Sequence, residues 1–183
     1  MTDKQLDSLS AQIAGKDSNN PPLHLWNPEL SGDIDIRIDR DGRWFHDGGE
    51  IKRQPLVNLF ASILRRENDG DYYLLTPVEK WRIRVECMPL MAVEAEFEHE
   101  GSSADQMIHI RTNTDKLLTI GEEHPLEVLT MENGERVPTV SVKHGLSALL
   151  TRSVYYQLAE RCIKGDVDSY GLYSEGRFFP LDV

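Results

Sequence analysis

The residues of this chain best suited to chemistry are cations and hydrogen-bond donors placed at strand ends and along two helical patterns. Thr76, Glu79 and Lys80 lie in TPVEK, where a proline interrupts an extended stretch. Arg111, Thr112 and Asn113 close another stretch with a guanidinium, a hydroxyl and an amide. Arg65 sits in LRRE, and Arg152 and Tyr155 in LLTRSVYY. Arginine and lysine beside hydroxyl or amide donors match a phosphate or carboxylate through charge-assisted hydrogen bonds. A small anionic ligand is therefore the chemistry these residues point to. For any one of them taken singly, a solvated helix face or a strand cap is the simpler account.

Other chemistries find less support. DIDIRIDRDG looks like a calcium loop, but the frame that puts Gly42 at the sharp turn puts Arg37 at the first ligand position. It also puts Gly48 where the bidentate glutamate belongs, so the segment reads as a hairpin strand. The histidines form no H-x-x-x-H pair, and Glu98-His99-Glu100 reads as a solvated charge run. There is no G-x-S-x-G elbow and no phosphate loop, and Cys87 and Cys162 have no partner motif. No catalytic residue, metal site or cofactor can be named. An enzyme of unrecognised type stands as an alternative to a binding module, and a protein-interaction domain or homodimer, using the acidic 92–100 face, as another.

The 31 acidic and 20 basic residues give 183 residues a net charge of −11, which argues against broad binding to nucleic acid or anionic membrane. The segment from Lys52 to Arg84 reverses the balance, with seven basic residues against four acids. The chain begins with a polar stretch and contains no apolar run long enough to span a bilayer. It reads as a cytoplasmic protein with reduced cysteines.

The elements that must position these residues follow from periodicity. Residues 1–22 form a tail in which Leu6, Leu9 and Ile13 suit one short helix, followed by a linker. Ile34, Ile36 and Ile38 alternate with charges as a half-buried strand, and Asp41-Gly42 turns it into Trp44-Phe45. Tyr72–Leu75 and Lys80–Glu86 are further strands. In MAVEAEFEHE, Met91, Val93, Ala95 and Phe97 are expected inside and Glu94, Glu96 and Glu98 outside. In MIHIRTN, Ile108 and Ile110 face the core, and His109 and Arg111 oppose those glutamates. Leu117–Ile120, Leu126–Met131 and a turn at Asn133-Gly134 follow, and a hairpin at Glu175-Gly176 closes the chain.

One pattern returns. PLVNLFASILRRE carries Leu56, Leu59, Phe60, Ile63 and Leu64 at helical spacing, and GLSALLTRSVYYQ places Leu146, Leu149, Leu150, Ser153 and Val154 at the same offsets. The expectation is two equivalent helices, with Arg65 and Tyr155 at the same position. Each would be preceded by a hairpin turn and followed by an Asp-x-Asp turn, Asp69/Asp71 and Asp166/Asp168. The predicted fold is α+β, with two tandem related halves of mainly antiparallel strands and one main helix each. The first half covers residues 23–90 and the second 91–183.

PPLHLWNPELSGDIDIRIDRDG, LVNLFASILRRENDGDYYLLTPVEKWRIRVE and GLSALLTRSVYYQL together resemble a proteobacterial domain-of-unknown-function family over nearly all of the chain from Pro21. The resemblance implies a duplicated α+β core whose C-terminal half is loosely pleckstrin-homology-like. It also implies a signalling role and a nucleotide-like ligand held between the halves. The partners expected are thus a small anionic or nucleotide-like ligand and, in the interaction reading, a second copy of the chain.

Overall fold

The computed structural model describes residues 21–131, 133–165 and 169–181. The N-terminal helix expected around Leu6, Leu9 and Ile13, and the Asp166/Asp168 turn, lie outside the described residues. The described residues divide into two compact units. The first runs to Pro89 and includes His144–Leu146, and the second comprises Leu90–Lys143 and the residues from Ser147.

In the first unit the alternating isoleucines form β1 (Leu30–Ile38), with Ile34, Ile36 and Ile38 all buried. Asp39 then turns the chain. Its carboxylate accepts the backbone N–H groups of Asp41 and Arg43 at 2.9 Å and Arg43 Nε at 2.8 Å, while Gly42 takes φ 76°. The segment that imitates a calcium loop thus uses Asp39 on its own hairpin. β2 (Trp44–His46) and β3 (Gly49–Glu50) complete a meander. α1 (Gln54–Ser62) follows with Pro55 in its first turn, where a missing N–H costs nothing. It buries Val57 and Phe60, and the Phe60 ring stacks on Trp44 at 6.2 Å. β4 (Leu64–Arg66), β5 (Tyr72–Leu75) and β6 (Lys80–Val85) form a second meander. The sheet order is β3-β2-β1-β6-β5-β4, and the central β1·β6 pair is parallel.

The second unit repeats this plan. β7 (Leu90–Glu98), β8 (Met107–Thr112) and β9 (Leu117–Thr119) form one meander. β10 (Leu126–Thr130), β11 (Arg136–Ser141) and β12 (Ser147–Leu150) form the other. The order is β10-β11-β12-β7-β8-β9, with β12·β7 parallel. Counted from the first strand of each unit, the neighbours are identical, so the chain contains two related halves of α+β type. In each, the first and last strands of the repeat lie side by side.

The helices do not occupy equivalent places, which corrects the repeat expected from the apolar stripe. α1 lies between the third and fourth strands of its unit, whereas α2 (Arg152–Ala159) follows the sixth. Ala148, Leu149 and Leu150 are strand residues. Leu146, Ala148 and Leu150 are buried in alternation, so a period of two is hidden in letters that also fit a helix. Arg65 lies on β4 and Tyr155 on α2, and they are not counterparts.

A second correction concerns β7. The ladder to β8 slips between Ala92 and Glu94, so Val93 bulges outward to 42% exposure while Ala92 is fully buried. Beyond the bulge the expected faces hold. Glu94 pairs with Arg111, Glu96 with His109, and Ala95 is buried against Ile110.

A small third sheet, β13 (Ile163–Lys164), β14 (Tyr170–Ser174) and β15 (Arg177–Pro180), joins the second unit. Fully buried Ser174 fastens it. Its Oγ donates to Ile120 O at 2.6 Å and accepts Ile108 N–H at 3.1 Å.

Candidate functional site

The basic segment of the first unit folds into a network in which most cations are already matched. Arg65, on β4, donates to Glu67, and its Nη1 also reaches Leu23 O at 3.1 Å and Trp26 O at 3.0 Å. Lys80, at the start of β6, holds the other Glu67 oxygen at 3.1 Å and sits 5.0 Å from the Tyr73 ring centroid. Burial pushes the Glu67 carboxyl up, but the hydrogen bonds and charges of Arg65 and Lys80 outweigh it and hold the group below its ordinary range. Tyr73 donates to Asp69 at 2.7 Å, and that bond, with burial, pushes its phenol up to about 12.

Thr76 and Glu79 close the β5–β6 hairpin. Thr76 is fully buried, and its Oγ1 accepts Glu79 N–H at 3.0 Å. An open groove of about 640 Å³ runs along the β1·β6 pair, lined by Asp33, Ile34, Asp35, Asp71, Arg82, Ile83 and Arg84. Arg82 is held by Asp33 at 2.6 Å and by Asp71 at 3.2 Å. With three carboxylates against two guanidiniums, this groove repels an anion more than it attracts one.

In the second unit, Arg111 donates to Glu94 at 2.8 Å across the β7–β8 ladder. His109 Nδ1 lies 2.9 Å from Thr119 Oγ1, and its Nε2 lies 3.5 Å from Glu98. Thr112 is fully buried, and its hydroxyl organises the turn into β9 by accepting Lys116 N–H at 3.1 Å. Asn113 acts as a backbone mimic. Its Oδ1 accepts Met91 N–H at 3.0 Å and its own N–H donates to Met91 O at 2.9 Å. These three residues converge in sequence and in space, yet the hydroxyl and the amide oxygen are occupied by the fold.

Arg152 and Tyr155 are placed differently. α2 turns Val154 and Leu158 into the core and is tied to β7 by Gln157 Nε2, which donates to Ala95 O at 2.9 Å. At 100° per residue, Arg152 and Tyr156 share the opposite face, and half-buried Tyr155 lies on the flank between that face and the core. Arg152 is exposed and makes no ion pair or hydrogen bond through its side chain among the described residues. Tyr156 is 61% exposed and meets the Tyr155 ring at 5.6 Å, edge to face. Thr151 precedes the helix but does not cap it, because its Oγ1 donates to Ala92 O at 3.0 Å. The first turn carries no acidic side chain. The sequence signal for Tyr156 was present in the adjacent YY pair, but helical phase was needed to tell which tyrosine faces outward.

The nine residues therefore fall into two groups. Arg65, Thr76, Glu79 and Lys80 lie in the first unit, and Arg111, Thr112, Asn113, Arg152 and Tyr155 in the second. Among the described residues no cluster of three or more His, Cys, Asp or Glu side chains is arranged to hold a metal ion. No helix among them is long and apolar enough to cross a membrane.

Two mixed six-stranded sheets of one topology define a duplicated class of α+β protein. Residues 21–88 match the N-terminal domain of a family described as a domain of unknown function, DUF1285, and residues 89–181 match its C-terminal domain. The chain belongs to the DUF1285 family. A crystal structure of a DUF1285 family protein from Silicibacter pomeroyi is similar with a TM-score of 0.83 and 41% identity, over 93% of this chain and 91% of that one. Another, from Shewanella baltica, has a TM-score of 0.51 and 26% identity, over 69% of this chain and 91% of that one. Among curated proteins no relative matches the chain.

Proposed function

We propose that the chain is a ligand-binding module of signalling type, and that it takes a small phosphate-bearing, nucleotide-like molecule on the solvent face of α2. Arg152 carries the reading. Of the candidate cations, Arg65 and Lys80 share Glu67 and Arg111 holds Glu94, whereas the Arg152 guanidinium has no carboxylate partner among the described residues. A free guanidinium can grip a phosphate with two parallel hydrogen bonds. The uncapped N–H groups of the first turn add donors of the same polarity. Exposed Tyr156 on that face, with the Tyr155 ring edge-on beside it, offers a ring to a base, an interaction worth about 1–3 kcal/mol. In this reading Thr76, Thr112 and Asn113 hold turns in place, and the module binds without turning its ligand over.

Calorimetry with nucleotides, the matching nucleosides and inorganic phosphate tests the assignment. Nucleotides are expected to bind, Arg152→Ala to abolish that binding, and Tyr156→Ala to weaken nucleotides more than phosphate. Nucleotide affinity that survives Arg152→Ala unchanged, or no nucleotide binding at all, removes the proposal.

A further inference from the structure

The edges of the sheets are not equally guarded. An open edge presents unpaired backbone N–H and C=O groups, and proteins blunt it with short strands, cationic side chains, proline or bulges. β3 and β13 have two residues each, β4 and β9 have three, and β15 ends on Pro180. β10, with five residues, is the longest edge strand among the described residues, and its ladder to β11 has no bulge. It holds no proline and a single charged side chain, Glu127.

The register shows which groups of β10 are unpaired. Val128 lies opposite Pro138, which has no N–H, so that pair exchanges no ladder bonds. The bonds fall to Glu127–Thr139 and Leu129–Val137, because bonded and non-bonded pairs alternate in an antiparallel ladder. Flanking bonds keep the same phase, from Ser141 N–H to Pro125 O at 2.9 Å and from Met131 N–H to Glu135 O at 2.8 Å. Leu126, Val128 and Thr130 therefore turn their backbone groups away from β11. Leu126 is buried, whereas Val128 is half-buried and Thr130 exposed. Neither of these two has a hydrogen-bond partner for its outward N–H and C=O among the described residues. A groove of about 490 Å³ adjoins the strand, with Leu126, Val128, Phe179 and Pro180 in its lining.

We propose that β10 pairs antiparallel with β10 of a second copy of the chain, about a two-fold axis at Leu129. Val128 of each copy then lies opposite Thr130 of the other, and each such pair exchanges both backbone bonds. Leu129 meets Leu129 at the axis as a non-bonded pair, the spacing at which side chains come closer. Glu127 lies opposite Met131, so no like charges stand face to face. The other edge strands of the chain are shorter, and pairing β10 with any of them would leave the second copy's β10 open and build a filament. The two-fold pairing uses one surface on both copies and closes at the dimer. Arg152 takes no part in it.

Sedimentation of the full chain at rising concentration tests the proposal. A monomer–dimer equilibrium is expected in the high-micromolar range. Val128→Pro removes an outward N–H without breaking a bond to β11, and is expected to weaken the dimer several-fold while circular dichroism stays native. Leu129→Cys leaves the edge intact, and the non-bonded spacing at the axis lies within disulfide reach. Mild oxidation of that variant is expected to link the two copies through position 129, as located by peptide mass spectrometry. Arg152→Ala is expected to leave the dimer unchanged, which separates this interface from the ligand face of α2. A monomer throughout the range, as when the edge receives a strand from a different protein, overturns the proposal. So does a dimer indifferent to Val128→Pro, or oxidation of Leu129→Cys that yields no link through position 129.

Discussion

Ser174 and Tyr73 show how much of the fold rests on single hydroxyls. Ser174 Oγ joins the small third sheet to both β8 and the segment after β9, and both partner residues, Ile108 and Ile120, are fully buried. Ser174→Ala leaves a buried N–H and a buried carbonyl unpaired, and is expected to cost about 2–3 kcal/mol, measured as a lower urea midpoint. Tyr73 illustrates a pH effect of definite sign. Its folded pKa is raised to about 12, chiefly by the hydrogen bond to Asp69, above an unfolded value of about 10. The stability it contributes is therefore complete below about pH 10 and is lost as pH rises through about 12. Ultraviolet titration of Tyr73→Phe should lack that late-ionising phenol, while the remaining tyrosines ionise as before. An unchanged late phase in the variant would contradict the Tyr73–Asp69 bond.

Among the elements, β7 separates what periodicity can and cannot reveal. Alternation in MAVEAEFEHE correctly put the glutamates opposite His109 and Arg111, because those partners follow from a plain two-residue repeat. It misplaced Val93, because a bulge adds a residue without changing any side-chain type. Val93→Lys is expected to change stability by less than about 0.5 kcal/mol, and Ala92→Leu, one residue away, to cost about 1–3 kcal/mol. Chemical denaturation of both variants measures the register directly, and the reverse order of effects would exclude the bulge. The same limit explains the helix repeat. Leu146, Leu149 and Leu150 fit a helical stripe, but the 3₁₀ turn at Lys143–Gly145, with His144 at φ 65°, resets the chain into β12. Of the candidate residues, Arg111 was legible as a strand-end cation. The burial of Thr76 and Thr112 was not, since turn-closing hydroxyls look the same in sequence as ligand-binding ones.

At the scale of the whole molecule, the duplication was legible and its alignment was not. Order and type of element along the chain suggested two related halves, and the two sheets do share one topology. The equivalence is carried by strand pairing, which joins residues as distant as Ile38 and Val85 and leaves no short motif. Net charge was readable in full, but its pairing was not. The stretch from Lys52 to Arg84 carries more bases than acids, and folding matches much of that excess with acids drawn from elsewhere, such as Asp33 on Arg82 and Asp35 beside Arg84. The parallel β1·β6 pair also governs how the first unit responds to tension. Its opening and closing strands are neighbours that run the same way, so a pull on the two ends of that unit loads their hydrogen bonds together in shear, not one after another as in a zipper. That geometry makes the centre of the sheet a mechanical clamp, and stretching the chain must break it before the meanders on either side can unravel.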